Sequence, residues 1–306
     1  MSTVDQFSAQ IGGASMIIAS IIGLFFNLSA FRKYLSLEKT SFHVMCISKT
    51  VSNSLHILVY LLYNGPSALL YAQLGPELLN RYLNQAIAYG LYCQGPLTQA
   101  LITINRFLIV YFAPIVIPWY SKWITFGSLS ACWIIAAYFS TLIGFPESCL
   151  IRFSHQSLTW MHDECPYFIH YILQSDFLFL VLPLAVFSNV MNVFIAIKLF
   201  LSSKTQNLST ESCRHRQKTL IRLFIQNCFE DWVYVLDTVN SLFFRNTANH
   251  PFLIFIVTLG SNLFTQLADG LVMYVSNYQR NGKRRVNSAK VQNTNRVAGS
   301  KQYLSN

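Results

Sequence analysis

The sequence predicts an all-α integral membrane protein, a seven-helix bundle with its N-terminus outside and its C-terminus inside. Three observations predict it. The 306 residues are 53% hydrophobic and only 11% charged, with a mean hydropathy of +0.39, whereas a soluble domain carries about 25% charged residues. Seven apolar stretches are each long enough for a helix of about 20 residues across the hydrocarbon layer. Of the 22 basic residues, 18 fall in every second gap between these stretches, while only Arg81, Arg152 and Arg245 occupy the other gaps and Lys49 sits inside a stretch. Retained cytoplasmic loops carry the Lys and Arg, so this alternation sets span count and orientation together.

The first span is expected at residues 11–31; it is about twice the length of a signal-peptide core and is preceded by Asp5 rather than by basic residues, so no cleavable leader is expected. Arg32, Lys33 and Lys39 then mark an inner loop before a second span at 42–63. An outer loop over 64–81 leads to the third span, 82–105, and Arg106 and Lys122 bound the second inner loop. The fourth span is placed at 123–145 and the longest outer loop at 146–166. A fifth stretch, 167–197, exceeds the bilayer thickness and must project beyond it on one side. The basic segment 198–222 is the third inner loop, although the sixth helix (span 223–244) could begin near Gln217. After a seventh span at 252–277, the seven-span unit closes near residue 280, and 281–306 form a basic cytoplasmic tail whose composition favours disorder. Inside the hydrocarbon each span must be a helix, because unpaired backbone amides are too costly there.

The net charge of +10 is spread over these loops rather than gathered on one face. That distribution points to anionic membrane lipid and an intracellular protein, and not to nucleic acid. No paired nucleophile and base, cofactor motif or metal motif lies in the spans, so no enzymatic activity and no cofactor are expected. His155, His162, Asp163, Glu164 and Cys165 cluster in the longest outer loop, but without spacing such as CxxC or HExxH they predict no metal centre. Cys149 and Cys165 both fall in that loop, on the oxidising side, which predicts a disulfide between them; two free thiols are the alternative. The sequons at Asn27 and Asn207 fall in a span and in an inner loop, out of reach of glycosylation.

Ionisable groups within spans cost several kcal/mol unless paired or wetted. Here they are Lys49, Asp176, Glu230, Asp231, Asp237 and Asp269, with His56. Lys49 and Asp269 each lie about 8 residues from the inner end of their spans, so at about 1.5 Å per residue they share a depth. An ion pair or water-bridged contact is predicted between them, against a Lys49 that snorkels alone to the inner interface. Asn227, Glu230, Tyr234 and Asp237 share one face of span six, and Asn262, Gln266 and Asp269 one face of span seven. These stripes must face each other or a cavity, as a structural hydrogen-bond seam or as a movable switch.

A third span ending in Asn105-Arg106-Phe107 resembles the G-protein-coupled receptors. Gly23 and Asn27 in span one, Trp133 in span four, Pro183 in span five and Pro114 in the second inner loop are similar to further anchors of the rhodopsin-like class. Some positions depart from it. Asn105 stands where an acid usually precedes the Arg, span six lacks Cys-Trp-x-Pro, span seven has Asp269-Gly270 and Tyr274 in place of Asn-Pro-x-x-Tyr, and span three has no cysteine at its outer end. Such departures resemble the nematode serpentine chemoreceptors, class X. That resemblance is carried by Cys46-Ile47-Ser48, Ile104-Asn105-Arg106-Phe107, Leu158-Thr159-Trp160 before Cys165, Arg222-Leu223-Phe224-Ile225-Gln226 with Cys228, and Leu267-Ala268-Asp269-Gly270.

The resemblance implies a plasma-membrane receptor of sensory neurons, in a sensory cilium, that takes an external small-molecule ligand and activates a heterotrimeric G protein. Polar and aromatic residues of the outer half-spans give the candidate pocket: Tyr60, Tyr63, Gln85, Tyr89, Tyr171, Gln174, Asp237 and Asn262. Arg106 is expected to engage the G protein, helped by Lys204, Arg214, Arg216, Lys218 and Arg222 on a basic inner surface. The switch is expected in a polar core of Asn27, Lys49, Asn53, Glu230, Asp231 and Asp269. An ion channel or transporter that uses the buried acids is the rival reading.

Overall fold

A computed structural model describes residues 4–38, 40–112, 118–161, 165–205, 211–244 and 250–276, with backbone only at 118–122, 167–179, 202–205, 211–220, 223 and 242. Among the described residues there are seven long helices. They are α1 (Gln6–Leu35), α2 (Ser41–Leu69), α3 (77–112), α4 (Pro118–Thr141), α5 (Tyr167–Thr205), α6 (211–244) and α7 (Pro251–Ser276). Five contain a stretch long and apolar enough to cross a membrane: Gln6–Leu35, Ser41–Leu69, Trp123–Thr141, Leu180–Leu201 and Pro251–Ser276. Helices α3 and α6 fall short because they carry the polar residues of the bundle interior.

The bundle is apolar on the outside and polar within. Ile18, Ile21, Phe25, Val186, Val190 and Phe200 are exposed, whereas Lys49, Asn53, Gln99, Glu230 and Asp269 are buried. Helices in lipid gain nothing by hiding apolar side chains from their surroundings, so close packing and interhelical hydrogen bonds hold them together. On α1 the buried face is Gly12, Gly13, Met16, Ser20, Gly23, Asn27 and Ala30, mostly small residues at helical spacing. Asp5 starts this helix by accepting from Ser8 N at 3.0 Å, a contact that holds its carboxyl below the ordinary value.

Helices α1 and α2 approach each other backbone to backbone. A Cβ at Gly13 would lie 2.5 Å from Leu69 N and 2.7 Å from Gly65 O, backbone atoms that no rotamer change can move. Gly13→Ala is therefore expected to force the two helices apart and to cost about 1–3 kcal/mol, seen as an earlier thermal unfolding of the purified protein in detergent. An unchanged transition would show that the helices are free to slide.

Three helix lengths correct the sequence reading. Helix α4 stops at Thr141 rather than near 145, because Leu142 (φ 45°) and Gly144 (φ 97°) turn the chain ahead of Pro146. Helix α5 runs for 39 residues to Thr205, and α6 begins at Glu211, so the basic segment 198–222 belongs mostly to two helix ends rather than to a loop. The loop after α2 is also shorter than expected, since α2 reaches Leu69 and α3 opens at Glu77.

Between α4 and α5, the longest connection folds into a hairpin that periodicity did not reveal. Strand β1 (Arg152–Ser154) pairs antiparallel with β2 (Thr159–Met161), Phe153 opposite Trp160, and the Cys149–Cys165 disulfide closes the segment. The hairpin is held by a row of polar side chains on the first turns of α3. Asn80 donates to Phe153 O and accepts from Phe153 N, both at 2.9 Å; Gln85 accepts from Ile151 N at 3.0 Å and donates to Phe139 O at 2.8 Å; Trp160 Nε1 donates to Asn84 Oδ1 at 3.2 Å. Leu158 is fully buried in the apolar cluster with Met16, Ile57, Tyr60 and Phe255. His155 stands edge-on to Tyr71, and partial burial with Arg152 nearby depresses its pKa. Two apolar clusters, this one at the disulfide end and one of Ala30, Tyr34, Met45, Cys46, Ile102 and Met273 at the Arg106 end, enclose a polar middle layer.

Candidate functional site

At the centre of the polar layer is the Lys49 ammonium. Its three donors are all used: Gln99 Oε1 of α3 at 2.7 Å, Glu230 Oε2 of α6 at 2.9 Å and Asp269 Oδ1 of α7 at 2.8 Å. A fully buried ammonium needs this number of acceptors, since each unmet donor costs a desolvation that nothing returns. Its partners are themselves held. Asn53 donates to Asp269 Oδ2, one helical turn from Lys49 on α2, and Gln226 donates to Glu230 Oε1 at 2.8 Å, one turn back on α6. The Tyr234 ring lies 5.4 Å from the ammonium. The contact expected between Lys49 and Asp269 is thus direct, and Lys49 does not run to an interface. Through one side chain α2 ties α3, α6 and α7 together.

The polar stripes of α6 and α7 meet mainly through α2. Asn262 Oδ1 lies 2.6 Å from His56 Nε2 and accepts from Tyr60 Oη at 3.0 Å, an arrangement that puts the imidazole proton on Nε2. Asn240 donates directly to Ser261 at 3.0 Å. Asn27 donates to Gly23 O at 2.9 Å and to Gln266 O at 3.2 Å, which pins α1 against α7 but does not touch the ion cluster.

Asp231 faces the other way. It accepts from Asn192 of α5 at 2.6 Å and makes no ion pair among the described residues. It lines a small cavity of about 10 Å³, room for about one water, between α3, α5 and α6, together with Pro96, Gln99, Ser188, Tyr234 and Thr238. Of the eight residues expected to form a pocket, six have described side chains, and none of these lines this cavity.

Of those eight, Tyr60 and Asn262 are joined in the buried triad with His56. Gln85 has both ends spent on backbone groups of α4 and the hairpin segment, which leaves it a structural role. Half-buried Tyr89 packs against the cluster around Cys93 and Cys149. Tyr63 is buried with its hydroxyl unpartnered, and Asp237 is buried close to Tyr92 and Ser261. The side chains of Tyr171 and Gln174, and of Asp176, lie outside the described residues, as do those of Lys204, Arg214, Arg216 and Lys218. Arg222 is half-buried on α6. Arg106 is only 7% exposed, with its guanidinium 5.0 Å from the Phe42 ring centre.

Several members of the layer escaped the sequence reading. Gln94, Gln99 and Thr103 recur along α3 and could have been seen as a stripe like those of α6 and α7. Gln94 and Trp133 Nε1 donate to Ser48 at 3.2 and 2.9 Å, and Asn227 donates to Thr103 at 2.8 Å. Asn192 and Ser188, one turn apart and both buried on α5, likewise form a short polar pair that the sequence reading passed over. Four helices also contain a π-helical turn in the half nearer the disulfide: Tyr60–Asn64, Ala86–Gly90, Asn240–Phe244 and Ile256–Gly260. Such turns widen a helix by one residue and often mark functional segments.

In fold the protein is similar to squid rhodopsin, whose crystal structure it matches with a TM-score of 0.65 at 12% identity, over 90% of this chain and 84% of that one. None of the curated proteins compared with it matches this sequence. A family model described as "Serpentine type 7TM GPCR chemoreceptor Srx" matches residues 17–277, a range that runs from the middle of α1 through the other six helices and takes in the polar layer. The chain therefore belongs to the Srx family of serpentine seven-transmembrane chemoreceptors, and it is a membrane receptor of the G-protein-coupled type.

Proposed function

We propose that the chain binds an external small molecule among the helices at the disulfide end and activates a heterotrimeric G protein at the Arg106 end. The observation that carries this reading is the buried Lys49 ammonium that joins α2, α3, α6 and α7. A ligand that shifts α6 or α7 at their π-helical turns moves Glu230 or Asp269 against Lys49. A close-packed ion cluster responds by exchanging partners rather than by stretching, which turns a small displacement into a discrete change. Asp237, buried one turn before the π-helical turn of α6, and Tyr63, buried within that of α2, are the pocket candidates that fit this path best.

At the other end, activation requires Arg106 to leave the Phe42 ring and reach the G protein. Arg216, Lys218 and Arg222 add positive charge there, complementary to an acidic partner surface, and the basic tail 281–306 suits anionic lipid of the inner leaflet. The alternating Lys and Arg support this orientation, with the N-terminus outside, and the chemoreceptor family is what supports a place in the plasma membrane of a sensory cell. Arg106→Ala is expected to reduce G-protein activation at least tenfold at unchanged surface expression. The assay is a panel of small molecules applied to cells that co-express a promiscuous G protein. Undiminished activation by the variant would sink the coupling role. A conductance in cells without G-protein signalling would favour the channel reading instead.

A further inference from the structure

The cavity between α3, α5 and α6 measures about 10 Å³, too small for any organic molecule and close to the minimum of about 10–15 Å³ that one water needs. Its wall is polar: Gln99 of α3, Ser188 of α5, and Asp231, Tyr234 and Thr238 of α6 all border it. Gln99, Ser188 and Asp231 are buried, so bulk solvent does not reach them. Asp231 accepts from Asn192 at 2.6 Å and from Gln99, and Tyr234 has its partner in Gln266. A carboxylate offers about four acceptor positions, so these two donors leave Asp231 with capacity for a further one. An apolar void of this size stays dry, whereas a buried carboxylate beside a hydroxyl gives a water the partners it needs.

From this we infer that the cavity is a water site, in which one ordered molecule donates to the Asp231 carboxylate and shares a hydrogen bond with the Ser188 hydroxyl. Asn192 lies one helical turn past Ser188, so the water joins α6 to α5 a second time beside the direct contact. Gln99 makes the chain continuous with the ion cluster. It accepts from Lys49, donates to Asp231 and borders the same cavity, so the polar layer reaches α5 through Asp231 and the water. A direct contact between two side chains has to break before the helices that carry them can shift. A bridging water is nearly as good a partner and can turn to another neighbour, so α6 can move against α5 while Asp231 stays satisfied. That role in movement rests on the receptor reading, but the water site does not.

The experiment irradiates the full-length chain in detergent with a brief X-ray pulse, because radiolysis of water oxidises the side chains that the water touches, and mass spectrometry locates them. Tyr234 is expected to be oxidised although it is only 4% exposed, whereas Tyr60, fully buried and away from the cavity, is expected to stay unmodified. Ala185→Val adds methyl groups at the cavity without changing a charge, and should abolish the oxidation of Tyr234. Ser188→Ala removes one hydrogen bond to the water, so oxygen-18 from the solvent should enter the oxidised Tyr234 about fivefold faster than in the unaltered protein. Equal oxidation of Tyr234 and Tyr60, or full oxidation of Tyr234 in the Ala185→Val variant, would overturn the inference. If neither variant folds, the comparison of the two tyrosines on the unaltered protein decides. In cells that respond to a ligand, Ala185→Val should also reduce G-protein activation at unchanged surface expression. A full response from a variant that has lost the oxidation would overturn the part given to the water in moving α6. The oxidation is read without a G protein, so the water site stands or falls apart from the receptor reading.

Discussion

Lys49→Met is expected to destabilise the protein by about 3–5 kcal/mol, the largest effect of any single change considered, because it leaves Glu230 and Asp269 buried without their cation. The volume lost is small, so cavity formation is a minor part of the cost. Removing the charges as a set should be far milder. A triple variant, Lys49→Met with Glu230→Gln and Asp269→Asn, is expected to recover most of the loss, since a neutral core carries no unpaired charge. Buried thiols provide the readout: Cys46, Cys93 and Cys132 are inaccessible in the folded bundle and react with a fluorogenic maleimide as it opens. Should Lys49→Met unfold at the temperature of the unaltered protein, the two carboxyls would already be neutral and the cluster would not be an ion pair. The triple variant also separates stability from switching, because it should fold and yet fail to respond to ligand.

The second large effect concerns the hairpin. Cys149→Ser together with Cys165→Ser is expected to cost about 3 kcal/mol, the loop-closure value for a bridge that spans about 15 residues, here a separation of 16. The loss should be felt locally first. With the bridge gone, the hairpin depends on Asn80, Asn84 and Gln85 of α3 and on buried Leu158. Limited proteolysis should therefore cut between residues 150 and 165 in the variant before the helical bundle unfolds. A hairpin as resistant as in the unaltered protein would mean that the α3 side chains hold it without the bridge. Because this segment covers the disulfide end of the bundle, the same variant is expected to weaken ligand responses that depend on a closed mouth.

The two effects differ in how far the sequence announced them. Cys149 and Cys165 stood together in a segment that the charge pattern put outside, and their pairing needed no knowledge of the fold. Lys49 was visible as the one basic residue inside a span, and its depth matched that of Asp269. Glu230 was assigned to the same layer, but nothing in the sequence divided the labour between it and its neighbour. Adjacent residues on a helix point about 100° apart, so Glu230 turns to α2 and Asp231 to α5. Which of them meets the ammonium depends on the rotation of α6 about its own axis. That rotation is set by packing against α3 and α5, not by α6 alone.

Gln85 illustrates the opposite error. A polar residue in the outer half of a span looks like a ligand contact, but an irregular connection folded over the bundle also has backbone groups to satisfy, and Gln85 takes two of them. Asn80 and Asn84, one helical turn apart on α3, serve the same connection. The four π-helical turns left no mark in the sequence, since one extra residue per turn changes neither composition nor hydrophobic period in a stretch that is apolar throughout.

By itself the sequence determined that the chain crosses the membrane, the order and approximate place of its seven helices though not where several of them end, and which ionisable groups must be sheltered. Those are one-dimensional consequences of transfer into hydrocarbon: an apolar run of sufficient length inserts, a charge inside it needs a partner, and Lys and Arg collect in alternate gaps. Only the tertiary structure decided which acid meets Lys49, that Gln99 and Asn192 complete the layer, that the longest connection is a hairpin seated on α3, and that Asp231 opens on a cavity. These depend on helix rotation and on contacts between residues as many as 220 positions apart, which are fixed by packing across the bundle rather than by the pattern within any one helix.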